Sequence, residues 1–153
     1  MITIREASIE DLNAVVAIFE QYRSFYQQES NLIGATDFIR SHIEKGESTI
    51  FIAESSDENT TEGKNIAGFV QLYPLFSSTG MKKLWLLNDL FVDANYRKQG
   101  IAEQLITAAR ELAVRTSARG LMLETSASNL PAQALYEKVG FTKSQSVYYE
   151  LDI

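Results

Sequence analysis

Two periodicities alternate along this chain. Residues 3–7, Thr-Ile-Arg-Glu-Ala, alternate apolar and polar as a short strand does. From Ser8 the period lengthens to a helical one, with Leu12, Val15, Val16, Phe19, Tyr22 and Arg23 on one stripe. Ser8 and Asp11, three apart, resemble a capping box at its start. Residues 22–34 are aromatic but mixed and read as helix fraying into loop. A second helix fits residues 36–45, capped by Thr36, with Phe38, Ile39 and Ile43 inward and Gly46 ending it.

From Ser48 the period shortens again. Residues 49–54 are β-branched and aromatic, a strand. Residues 55–64 are polar and read as an exposed hairpin tip, its acids Asp57 to Glu62 a solvated turn. A returning strand covers 66–76, with Pro74 near its end, and a longer strand covers 82–92. Three strands joined by short turns make an antiparallel meander. A helix over 100–116 buries Ile101, Leu105, Ile106, Ala109, Leu112 and Ala113. The strand at 121–125 follows a crossover helix and should lie parallel to its neighbour. A short helix over 129–139, Gly140 as its left-handed C-terminal residue, and a last strand over 141–151 complete the chain. This order predicts an α/β fold of mixed α+β type.

Composition narrows the chemistry. The 153 residues are most simply one domain, 1–153. There is no cysteine, which removes disulfides, Cys-ligated zinc and thiol catalysis. His42 is the one histidine, and it reads as a partly exposed surface residue, so no metal site is expected. No signal-peptide core and no apolar run near ~18 residues is present, so the chain reads as cytoplasmic, with no membrane partner. The net charge of −6 argues against a nucleic-acid partner and suits a cationic small substrate slightly better. Trp85 reads as core, and Tyr148 and Tyr149 as packing or interface residues.

The candidate chemistry starts where the long strand stops at Val92. The run Arg97-Lys98-Gln99-Gly100-Ile101-Ala102-Glu103 leads at once into the amphipathic helix. Gly100 permits close approach to the backbone, and Ala102 is small. First-turn N–H groups and the helix dipole suit a pyrophosphate, with Arg97 and Lys98 as screening cations. The run is neither a P-loop nor G-x-G-x-x-G.

A second motif follows, Asn129-Leu130-Pro131-Ala132-Gln133-Ala134-Leu135-Tyr136-Glu137-Lys138-Val139-Gly140-Phe141. The two motifs, in this order, resemble the GCN5-related N-acetyltransferase (GNAT) superfamily. Arg97, Gly100 and Ala102 meet its [Q/R]-x-x-G-x-[G/A] signature. Ala132, Leu135, Tyr136, Gly140 and Phe141 meet its second. Within it, Leu87-Asn88-Asp89-Leu90-Phe91-Val92 looks most like the diamine, polyamine and histone-type acetyltransferases, and residues 25–29, with Tyr26 and Glu29, loosely resemble their amine-side loop.

The resemblance implies a central, mostly antiparallel twisted sheet with a splayed parallel strand pair and helices on both faces. It implies acetyl-CoA as co-substrate, with residues 97–103 on the pyrophosphate, backbone of Leu90, Phe91 and Val92 toward the pantetheine and thioester carbonyl, and Asn129 and Ala132 bordering the pantetheine. Tyr136 is implied as general acid; a phenol of pKa ~10 suits protonation of a thiolate. The relatives carry Glu where this chain has Asn88, and an amide is no base. Asp89 is expected on the opposite strand face from Asn88. Three explanations stand: deprotonation through water oriented by Asn88, which is favoured; Glu29 acting from the amine-side loop; or an amine of low pKa. Tyr26, Glu29, Asn88 and Asp89 are the expected substrate contacts. The expected reaction is acetyl transfer to a primary amine of a small molecule. The rivals are a protein or peptide acetyltransferase and a CoA-binding module without catalysis. Late strands of this superfamily often form dimers, and β-rich residues 144–151 offer such an edge for a homodimer.

Overall fold

Within residues 1–123 the elements are arranged around one five-stranded sheet. The computed structural model describes residues 1–56 and 65–153; the hairpin tip read at 55–64 lies outside them apart from its first two residues. The elements are β1 (Ile2–Glu6), α1 (Leu12–Phe25), α2 (Leu32–Lys45), β2 (Thr49–Ser55), β3 (Asn65–Ser77), β4 (Lys82–Val92), α3 (Ile101–Arg115), β5 (Leu121–Met122) and α4 (Leu130–Lys138). Residues Met1–Leu123 form one compact unit and Glu124–Ile153 a second.

In the first unit the sheet order is β1-β2-β3-β4-β5. The first three pairings are antiparallel and the β4–β5 pairing is parallel, as a crossover through α3 requires. Alternation sorts the side chains. Ile50, Ile52 and Phe69 share a core with Val15, Phe19 and Ile39 of α1 and α2. Their strand neighbours Phe51 and Val70 therefore face the other side, where α3 lies: Arg115 sits over the Phe51 ring at 5.7 Å. Helices thus cover both faces. Gly68 marks the closest approach on the α3 side. A Cβ there would stand 2.8 Å from the Phe91 carbonyl oxygen and 3.3 Å from Leu105.

Pro74 has no N–H to give, yet it stands within β3. It pairs with Trp85 of β4, beyond Leu72, where the β2 ladder ends, so its nitrogen faces no strand. Trp85 is core, 5 % exposed, and its Nε1 donates to Thr116 Oγ1 at 2.9 Å. The start of α1 is locked by charge. Buried Asp11 accepts two hydrogen bonds from Arg5, at 2.8 and 2.9 Å, and one from the Ser8 N–H at 2.9 Å. Arg5 also reaches Glu54 of β2 at 2.6 Å.

Two expectations change. The second helix begins four residues earlier, at Leu32, with Asn31 as cap; its Oδ1 accepts from the Gly34 N–H at 2.9 Å. Thr36 lies inside the helix and donates to the Leu32 carbonyl at 2.7 Å, the back-bond of an interior threonine. Gly46 ends the helix in the left-handed conformation as expected. The last strand at 141–151 is not formed. β-branched and aromatic residues specify a strand only when a neighbour takes up their backbone groups, and here Val147, Tyr148 and Tyr149 stand exposed.

Replacing Gly68 by Ala should lower stability by about 1–3 kcal/mol, because backbone and not a flexible side chain meets the new methyl. Denaturant unfolding of the variant checks this; an unchanged midpoint would show that the sheet and α3 separate without cost.

Candidate active site

The β3–β4 register slips once. Gln71 faces Asp89 and Leu72 faces Leu87, so Asn88 is an extra residue, a β-bulge. Simple alternation sends Asn88 and Asp89 to opposite faces; a bulged residue leaves the pleat, and here Asn88 Nδ2 donates to Asp89 Oδ1 at 3.1 Å. The two side chains are therefore neighbours. Asn88 is exposed and Asp89 is 5 % exposed. The other Asp89 oxygen accepts from Nε2 of fully buried Gln71 at 2.7 Å, and Gln71 Oε1 accepts from Ser48 Oγ at 2.8 Å. A buried carboxylate is tolerated when it is met by donors in this way. Nearby, burial pushes the Tyr73 phenol up to about 12, and the negative charges of Asp89 and Glu47 add to it.

Beyond Leu86, β4 has no β5 partner among the described residues, because the parallel ladder consists of Trp85–Leu121 and Leu86–Met122. The strand runs on through Leu90, Phe91 and Val92 into a turn. Asp93 caps a single 3₁₀ turn, accepting from the Asn95 N–H at 2.8 Å. Lys98 (φ 61°) and Gly100 (φ 73°) then adopt left-handed backbone on either side of Gln99. Gly100 is the N-cap of α3, and no side chain bonds into that cap. Gln104 N–H is bonded to the Gly100 carbonyl at 3.1 Å. Ile101 and Ala102 precede it in the first turn, where amides have no acceptor within the helix. Backbone N–H groups gathered by left-handed residues at a helix start make an anion-binding concavity. These features fit the diphosphate of a CoA thioester.

Arg97 serves the turn in a way its charge did not suggest. Its Nε donates to the Val92 carbonyl at 3.2 Å, and its guanidinium lies 5.8 Å from the Phe91 ring centre and 5.9 Å from that of Phe25. It ties the turn to the end of α1. Lys98 and Gln99 are exposed. A cleft of ≈ 580 Å³ opens beside this clamp, lined by Glu20, Ser24, Phe25 and Ser30 on one side and Phe91, Asp93, Asn95 and Arg97 on the other.

Glu20 is the residue that periodicity overlooked. On α1 it reads as one more polar position. In the fold its carboxylate accepts from Arg23, from Ser30 Oγ at 3.0 Å and from the Asn31 N–H at 2.8 Å. Arg23 in turn donates to the Glu29 carbonyl at 3.1 Å. One carboxylate thereby shapes the whole α1–α2 connection. Glu29 contributes its backbone to this arrangement and leaves its side chain exposed. Tyr26 is 55 % exposed and packs edge-on to Tyr22. His42 is half-buried, stacked near Phe38 and Tyr73, with Nδ1 2.7 Å from the Phe38 carbonyl.

In the second unit, Asn129 caps α4, its Oδ1 accepting from the Ala132 N–H at 3.2 Å. Tyr136 is half-buried, with its ring 5.8 Å from that of Phe141. Gly140 takes the left-handed position (φ 106°) that turns the chain after α4.

Strand, bulge, turn and helix start form one continuous stretch, Lys82 to Ala102, in this fold. The chain belongs to the acetyltransferase (GNAT) family, whose model matches residues 15–141. It is 40 % identical over 151 residues to the uncharacterized N-acetyltransferase YhfO of Bacillus subtilis, covering 98 % of this chain and 97 % of that one. The crystal structure of a probable acetyltransferase superposes with a TM-score of 0.90 at 34 % identity, over 99 % of this chain and 97 % of the other. An aminoglycoside N-acetyltransferase solved with CoA shares the fold, with a TM-score of 0.81 at 18 % identity, over 99 % and 95 %. The protein is an acetyl-CoA-dependent acetyltransferase. Among the described residues, no helix is long and apolar enough to cross a membrane.

Arg23 above all, then the Asn31 N–H and Ser30, hold the Glu20 carboxyl below its ordinary range, against the opposing effect of burial. A depressed pKa means the stabilisation is present above the ordinary carboxylate value of ~4.3 and is lost as pH falls through the lowered one. Amide exchange over residues 26–31 should therefore quicken on acidification relative to the sheet. Glu20→Gln should show the faster exchange already at neutral pH. Equal exchange in both proteins would remove Glu20 from this role.

Proposed function

We propose that this acetyltransferase moves the acetyl group to a primary amine of a small molecule, directly from acetyl-CoA within a ternary complex. The observation that carries the reading is the edge of β4 beyond Leu86, which has no ladder partner among the described residues. The strand leaves its parallel partner after Leu86 and runs straight into the helix start at Gly100 with no side-chain cap. Acetyl-CoA supplies the activated acyl group. Residues 97–103 bind its diphosphate through backbone N–H groups, and Leu90, Phe91 and Val92 offer backbone to the pantetheine arm. Asn129 and Ala132 are assigned to the same arm from their place in the second motif. Absence of cysteine supports direct transfer, since no enzyme thiol can carry the acyl group.

On the amine side, Asn88 orients the nucleophile at the bulge, directly or through water. An amide neither takes nor gives a proton, so Asn88 acts as a hydrogen-bonding group. Tyr136 is assigned as the acid for the departing thiolate on the strength of its motif position. The small-molecule substrate is supported by the fold shared with an enzyme named for aminoglycosides, which carry several amines.

Release of CoA thiol from acetyl-CoA should accelerate with small polyamines or aminoglycosides and not with peptides. The reverse preference would replace the substrate class, and no acceleration by any amine would leave a CoA-binding module. Tyr136→Phe should lower kcat by roughly 10²-fold, the usual range for a general acid, at unchanged acetyl-CoA KM. Undiminished kcat would withdraw the acid assignment.

A further inference from the structure

We infer that Asp89 is a positioning residue that fixes which atom of Asn88 meets the substrate: it holds the Asn88 amide with its carbonyl oxygen outward, so that the site presents an acceptor to the incoming amine. This inference rests on the amine-acetyltransferase reading above and goes beyond it in naming how the amine is recognised.

Hydrogen-bond polarity fixes the orientation. An ionised carboxylate only accepts, whereas an Asn or Gln side chain carries donor and acceptor at opposite corners. Asp89 is buried, and its two oxygens face Gln71 and Asn88 at 2.7 and 3.1 Å. Both amides must turn their NH₂ groups toward it. For Gln71 the structure shows the consequence. Its Oε1 points away from Asp89 and accepts from Ser48 Oγ at 2.8 Å. For Asn88 the same rule turns Oδ1 away from Asp89, on a side chain that the bulge has brought to the surface. An amine is a donor in this contact whether it arrives charged or neutral. A freely rotating Asn88 would present donor and acceptor equally. Asp89 removes that ambiguity, which suits it to selecting an N–H group without itself touching the substrate.

The polarity can be reversed without emptying the network. In Asp89→Asn, residue 89 still accepts from Gln71 but now donates toward Asn88. Asn88 must flip to accept, and its NH₂ turns outward. In the double variant N88D/D89N the chain runs Ser48 to Gln71 to residue 89 to residue 88, and an acceptor oxygen faces outward again. The amine KM of Asp89→Asn should rise roughly tenfold or more, the usual worth of a hydrogen bond to a charged group. Its acetyl-CoA KM and thermal midpoint should stay near wild type, and the double variant should recover the amine KM. A neutral hydroxyl analogue of the amine, used as competitive inhibitor, should keep its inhibition constant, because a hydroxyl can donate to the outward oxygen of wild type or accept from the outward NH₂ of the variant.

An amine KM unchanged in Asp89→Asn, no recovery in the double variant, or an inhibition constant for the hydroxyl analogue that rises as far as the amine KM would each overturn the inference while leaving the enzyme reading intact. If wild type acetylates no amine, the reading itself fails and this inference with it. Should Asp89→Asn not fold, the wild type decides. A methyl ether analogue, which cannot donate, should inhibit at least tenfold more weakly than the hydroxyl analogue; equal inhibition would overturn the inference.

Discussion

On one edge β4 pairs with β3 along its length apart from the bulge at Asn88, and on the other its parallel ladder with β5 spans Trp85 and Leu86 among the described residues. That asymmetry organises the protein. The continuous antiparallel pairing with β3 anchors the strand deep in the sheet, between α1 and α2 on one face and α3 on the other. The short parallel pairing with β5 is what a crossover leaves when the two strands part early. Backbone that in an ordinary sheet would be consumed by a neighbour is then left for something else, at the point where the strand turns into a helix start with no side-chain cap. Backbone recognition of this kind asks little of side chains. It explains how exposed Lys98 and Gln99 can flank the cradle while Arg97 is spent on holding the turn against Phe25 and Phe91.

Three buried or half-buried carboxylates refine this frame, and each does so by being an acceptor that donors must face. Glu20 gathers Arg23, Ser30 and Asn31 and so decides where α2 begins and how the connection before it is shaped. Asp89 gathers Gln71 and Asn88 and so gives the bulge an orientation. Asp11 does the same for β1 and the start of α1 through Arg5. In each case a single charge is compensated by several hydrogen bonds drawn from different elements, which is how a buried acid becomes tolerable and specifying at once. The acetyltransferase family supplies the chemistry of the co-substrate; these carboxylates fix local geometry particular to this chain.

Much of this was legible in the chain. Period and turn residues located the three meander strands, the stripe of α3 from Ile101 to Ala113, the left-handed Gly46 and Gly140, and the parallel direction of β5. They did so because each depends on local geometry or on a face that must be buried. The paired motifs around Gly100 and Tyr136 pointed to the family for the same reason: a helix start that approaches a phosphate needs a Gly and a small residue nearby. Thr36 was mistaken for a cap because caps and back-bonding threonines look alike in sequence. Residues 141–151 looked like a strand because composition reports how well side chains fit a sheet and not whether a partner is there.

The sequence by itself therefore determined most of the elements, the sheet's direction changes, the family and the turn at Gly100, since these follow from short-range spacing. Tertiary structure alone decided the bulge at Asn88, the placement of its amide against Asp89, and the role of Glu20. A bulge exists only relative to the facing strand, where Leu87 and Asp89 flank the slip against Leu72 and Gln71. The partners of a carboxylate are set by what long-range packing brings within hydrogen-bond distance: Ser48 to Gln71 across two strands, Ser30 and Asn31 to Glu20 across a helix connection. No periodicity in the chain encodes those distances.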